Sequence, residues 1–169
     1  MENELITLIK KVNPLNYISN DYELTKKEFM DILGEYEKNA SVKILPEIAE
    51  FITFTNGKMF DDWILFKSIN KVPIFGGKIG DISLFYSLKK GMQYDAFSVM
   101  KSNSDIIKTG DFLFAEATPG DYLTISFNES DYGKIYFIDH DADTDEPNRI
   151  LVAESLQDLI NSMFLKDDE

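Results

Sequence analysis

The densest run of chemistry-bearing side chains is Asp139-His140-Asp141-Ala142-Asp143-Thr144-Asp145-Glu146. Alternate aspartates can point several oxygens at one hard cation, so the run invites a calcium reading. The spacing does not fit it. Counted from Asp139, Thr144 stands where an EF-hand loop needs Gly, and Ile150 where it needs a bidentate Glu. Counted from Asp141, Glu146 and Val152 fail at the same two places. The run reads instead as a solvated loop between two strands or as a charged loop facing a partner, and no metal site is expected.

His140 is the only imidazole, which excludes a His-rich metal site and a two-His acid/base pair within one chain. A Ser-His-Asp arrangement is not excluded by count, but no Gly-x-Ser-x-Gly turn accompanies it. With carboxylates all round, His140 reads as a charged loop residue of raised pKa. The 30 acidic residues allow a glycosidase-like carboxylate pair in principle, yet no pair stands out. The absence of cysteine removes thiol catalysis, thiolate zinc sites, iron–sulfur ligation and disulfides together. Gly76-Gly77-Lys78-Ile79-Gly80 lacks phosphate-loop spacing and reads as a hairpin or flexible loop. Phe60, Trp63, Phe66, Phe75 and Phe85 read as core, not as a base-stacking platform on a basic surface. No cofactor is expected.

Charge narrows the partners. The 17 basic and 30 acidic residues give a net charge of −13, which disfavours nucleic acid and anionic membranes as partners. The excess is localised: residues 1–110 hold 15 acids and 14 bases, whereas 111–169 hold 15 acids and only Lys134, Arg149 and Lys166.

The elements that must position these groups follow from periodicity. At 169 residues and 44% apolar content the chain suits one domain, 1–169, with a helical part over 1–40 and a core over 41–169. Met1 to Val12 lacks the features of a secretory signal and no apolar run reaches 18 residues, so a cytoplasmic protein is expected. Leu5, Leu8, Ile9 and Val12 predict a short helix ending before Pro14. Thr25 and Glu28 form a capping-box pattern ahead of a helix over 25–38 with Phe29, Ile32, Leu33 and Tyr36 on one face. Leu45-Pro46-Glu47 opens a third helix carrying Ile48, Phe51, Ile52 and Thr55, closed by Asn56-Gly57.

From Trp63 the pattern turns to strands. Trp63 to Phe66 and Val72 to Phe75 read as two short strands. Residues 81–105 admit a helix capped by Asp81 through Leu84, Phe85 and Leu88, and another through Tyr94, Phe97 and Met100. Phe112 to Ala115, Leu123 to Phe127 and Lys134 to Ile138 predict an antiparallel meander with turns at Pro119-Gly120-Asp121 and Asn128 to Gly133. Ile150 to Ala153 is a further strand. Ser155 then caps a last helix whose face is Leu156, Leu159, Ile160, Met163 and Phe164. This order predicts an α+β fold, a central mainly antiparallel β-sheet flanked by α-helices.

Several of these pieces recur in one family. Leu45-Pro46 opening a helix that closes at Asn56-Gly57, then Gly120-Asp121-Tyr122-Leu123, Gly133-Lys134-Ile135-Tyr136, Asp139-His140 and Val152-Ala153-Glu154-Ser155-Leu156 together resemble the SUKH superfamily, the group named after the yeast cell-wall regulator Smi/Knr. The resemblance spans residues 40–165. It implies an α+β fold and, in bacteria, a non-enzymatic immunity protein encoded beside a polymorphic toxin, often a nuclease. A nuclease domain must attract polyanions and is therefore basic, so the acidic last third is the expected attractor. Asp139, Asp141, Asp143, Asp145 and Glu146, with Glu116, Asp121, Glu129 and Asp131 as neighbours, are the candidate toxin-binding residues. The alternative is an intracellular scaffold or regulatory interaction module without a toxin partner.

Overall fold

A computed structural model of the protein describes residues 3–12, 15–16, 24–117, 120–142 and 148–166. The elements are α1 (Glu4–Ile9), β1 (Leu15–Asn16), α2 (Lys26–Ala40), α3 (Pro46–Thr55), β2 (Lys58–Val72) and β3 (Gly77–Phe85). They continue with α4 (Ala96–Ser102), β4 (Asp111–Ala117), β5 (Asp121–Ser126), β6 (Ile135–Ile138), β7 (Arg149–Ala153), α5 (Leu156–Asn161) and β8 (Phe164–Leu165). The fold is α+β, as the sequence predicts.

Local chemistry sets the helix limits. Thr25 closes a full capping box: its Oγ1 accepts from the Glu28 N–H at 3.2 Å, and Glu28 Oε2 accepts from the Thr25 N–H at 2.7 Å. Two donors that the helix start leaves open are thereby met. The helix α2 buries Phe29, Leu33 and Tyr36 and ends at Ser41, whose φ of 55° turns the chain out of the helix. Pro46 is the first residue of α3, where its missing N–H costs nothing, and Ile48, Phe51, Ile52 and Thr55 are its buried face.

All neighbouring strands pair antiparallel, in the spatial order β1-β2-β3-β4-β5-β6-β7, with β8 also on β2. The predicted meander is thus the middle of a longer one. The sheet curls into a half-barrel, and Asn70 Nδ2 near the far end of β2 donates to the Leu151 carbonyl of β7 at 2.9 Å. The four helices α1, α2, α3 and α5 contribute Leu5, Phe29, Phe51 and Leu159 to the main core, where they meet Phe66, Phe85, Leu123 and Phe137 from the sheet. Two smaller clusters hold Leu84, Tyr86 and Leu113 with Ala96 of α4, and Tyr136 and Ile138 with Ile107. Among the described residues, no helix is long and apolar enough to cross a membrane.

Three expectations are corrected. The runs Trp63–Phe66 and Val72–Phe75 are not two strands: β2 runs unbroken through Lys58–Val72, and Pro73–Phe75 is a 3-10 turn. Asp81 caps no helix, because it lies within β3 opposite Leu65. The last helix stops at Asn161, and Phe164, placed on its apolar face by periodicity, instead pairs with Leu65 in a β8–β2 bridge. The glycine-rich stretch is a hairpin, with Gly77 opposite Val72.

Candidate functional site

The meander brings several predicted acids to one corner. Tyr122 of β5 pairs with Ile138 of β6. Continuing that antiparallel register by one residue sets Asp121 opposite Asp139. Neither carboxylate is in open solvent: Asp121 is 0% exposed and Asp139 9%. His140 lies between two carboxylates. Its backbone N–H donates to Asp121 Oδ1 at 2.9 Å, and its Nδ1 sits 2.6 Å from the same oxygen. On the other side its Nε2 is 3.2 Å from Asp141 Oδ2, whose side chain is 80% exposed. Asp139 Oδ1 accepts from the Asp141 N–H at 2.9 Å and starts the loop outward.

The hydrogen bond to Asp121 holds the His140 imidazole above its ordinary pKa; the charges of Asp121, Asp141 and Asp139 act the same way, against the opposing cost of burial. Both ring nitrogens face carboxylates, Nδ1 toward Asp121 and Nε2 toward Asp141. Asp121, Asp139 and His140 each offer a ligand atom within 4.8 Å of the others.

The other candidate residues are held differently. Asp131 sits in a clamp around Arg149: the guanidinium donates to Asp131 Oδ2 at 3.0 Å and forks onto Asp111 at 2.7 and 3.0 Å. It also lies over the Tyr136 ring, 3.3 Å from the centroid. Burial pushes Asp131 up, but hydrogen bonds from Ser126, Arg149 and Tyr136 outweigh it and bring the carboxyl down to about 2. Glu116 on β4 accepts from the Tyr86 hydroxyl at 3.0 Å, and its partial burial raises it despite that bond. Glu129 is exposed in the turn after β5. Asp143, Asp145 and Glu146 lie outside the described residues.

Aromatic side chains lead to this corner. Tyr94, Tyr86, Tyr122 and His140 form a row with successive ring centroids 6.4, 6.5 and 6.3 Å apart. Tyr94 has a φ of 61°, a left-handed backbone that costs a bulky residue on the order of 1–3 kcal/mol and clusters at ligand-contacting positions. Periodicity gave no sign of this row, because only Tyr122 lies in a strand, while Tyr86 follows β3, Tyr94 precedes α4 and His140 follows β6. Nor did it point to Arg149 and Asp111, which are 38 residues apart.

Of the three basic residues in the acidic third, Arg149 is tied to Asp111 and Asp131, and Lys134 to Glu154 at 3.0 Å. The class defined is therefore an α+β protein with a curled antiparallel sheet and an acidic, tyrosine-lined corner whose local cations are engaged internally. The chain belongs to the SMI1 / KNR4 family (SUKH-1), which it matches over residues 3–162. Proteins of this family are generally non-enzymatic immunity or regulatory proteins. No curated protein matches the chain.

Proposed function

We propose that this chain is a cytoplasmic immunity protein that binds and neutralises a cognate toxin domain, basic and of nuclease type, by protein–protein contact without catalysis. The observation that carries the reading is the uncompensated charge of the last third, 15 acids against 3 bases, on the portion that forms the Asp121–Asp141 corner. A basic partner is drawn to such a field and can associate at up to about 10⁸–10⁹ M⁻¹s⁻¹ at low salt. Tyr94 and Tyr122, the half-buried tyrosines of the row, supply what charge alone does not, since tyrosines are favoured as anchors in interface centres. Family membership supports the same role.

The test is co-expression with the toxin domain encoded beside its gene. Rescue of growth, with a one-to-one complex on co-purification, is the expected result. Failure to rescue, with no complex formed, removes the immunity role.

A further inference from the structure

Two buried carboxylates facing each other across adjacent strands are an unfavourable arrangement, because like charges directly opposite repel and neither is solvated. Asp121 and Asp139 are so placed, and His140 answers only part of their charge. The second oxygen of Asp121 makes the deficit visible. Oδ1 has the His140 backbone N–H and ring Nδ1 against it, whereas Oδ2 is enclosed and has no hydrogen-bond partner among the described residues. A buried oxygen left unmet points to a missing ion or water.

We propose that Asp121, Asp139 and His140 form a binding site for one divalent cation of the zinc or manganese class. The claim is independent of the toxin reading. Tetrahedral ligands at about 2.0–2.2 Å from a small cation stand about 3.3–3.6 Å apart, so three candidate atoms within 4.8 Å of one another enclose it once the widest pair draws in by about 1 Å. One imidazole with two carboxylates suits zinc or manganese better than calcium, which prefers oxygens throughout. The site draws on the first residue of β5 and the two residues after β6, so no contiguous loop spacing could reveal it. The exposed Asp141 beside His140 leaves the ion open to solvent and to a further ligand.

The experiment uses the full, tag-free chain stripped with chelator. Zinc and manganese chloride are titrated by calorimetry while the imidazole signals of His140, the only histidine, are followed by NMR. One-to-one binding tighter than about 10 µM, with zinc shifting and manganese broadening those signals, is expected. Asp139→Asn and His140→Gln should each weaken binding at least tenfold; His140 is partly exposed, so its variant keeps the fold if Asp139→Asn does not. Asp143→Asn/Asp145→Asn/Glu146→Gln should bind as the parent does. No binding, unmoved imidazole signals, or loss of binding only in the loop variant would each overturn the proposal.

Discussion

Arg149 grips Asp111 with two parallel hydrogen bonds, 2.7 and 3.0 Å long, although the aspartate side chain is fully buried and the arginine only one-fifth exposed. The pair joins the first residue of β7 to the first of β4, across β5 and β6. A carboxylate taken wholly out of water must be met by a cation or by hydrogen-bond donors, and Arg149 supplies both to Asp111.

Removing one member should therefore cost more than removing both. Arg149→Ala is expected to lose about 3–5 kcal/mol in urea unfolding, because it strands the buried Asp111 charge, and Asp111→Ala less, because Arg149 keeps Asp131. The double substitution Asp111→Leu/Arg149→Met should lose markedly less than the sum of its parts. Additive losses would show that the two residues do not act as a unit.

Asp131 gives a pH dependence of definite sign. Its pKa falls from 3.8 unfolded to about 2 folded, so the folded state binds protons less readily. Its contribution, on the order of 2 kcal/mol, is present above about pH 4 and lost as pH falls through 2. The stability gap between the parent and Asp131→Asn should be fully open near pH 6 and shrink steadily between pH 4 and 2. A gap independent of pH would contradict the clamp.

Gly80 is required by packing. A Cβ there would stand 2.7 Å from Phe66 Cζ, closer than side-chain atoms approach, and closer still to the Phe75 ring. Gly80→Val should cost about 1–3 kcal/mol or more, read as a lower urea midpoint at unchanged slope.

Asp95 is a buried cap whose oxygens receive the N–H groups of Gly91, Phe97 and Ser98 and the Ser98 hydroxyl. Asp95→Ala should cost at least about 1–2 kcal/mol and speed amide exchange in α4 before the meander is affected.

Charge in the 141–145 stretch should govern association rather than folding. Asp141→Lys/Asp143→Lys/Asp145→Lys is expected to slow binding of a basic toxin domain at least tenfold at low salt and to flatten its salt dependence, with little change in thermal stability. Unchanged kinetics would separate the loop from the binding face.

The sequence was most legible where one face of an element is buried and its ends are capped. Thr25 with Glu28, Pro46, and the alternation through Leu123 and Ile125 all predicted elements that the structure contains. It was least legible along β2. There Phe66 and Val72 turn inward, but so does Ser68, whose hydroxyl is satisfied by Asn70, while Lys67 and Ile69 face out. A buried serine and an exposed isoleucine together conceal a strand. The candidate site was legible as charge and not as geometry: carboxylates read as solvated, so the burial of Asp121 and Asp139 came from pairings that the sequence does not display.

The strand β2 has a consequence for the order of folding. It holds β1 from the start of the chain through Leu15 and Met59, and β8 from the end through Ile64 and Leu165. The second contact spans roughly a hundred residues, a loop closure that is slow because its entropy is lost before the contact is gained. The β4–β6 meander closes over short turns and can form while synthesis continues. The β8–β2 seam cannot, so the native sheet is completed only after Phe164 and Leu165 have left the ribosome.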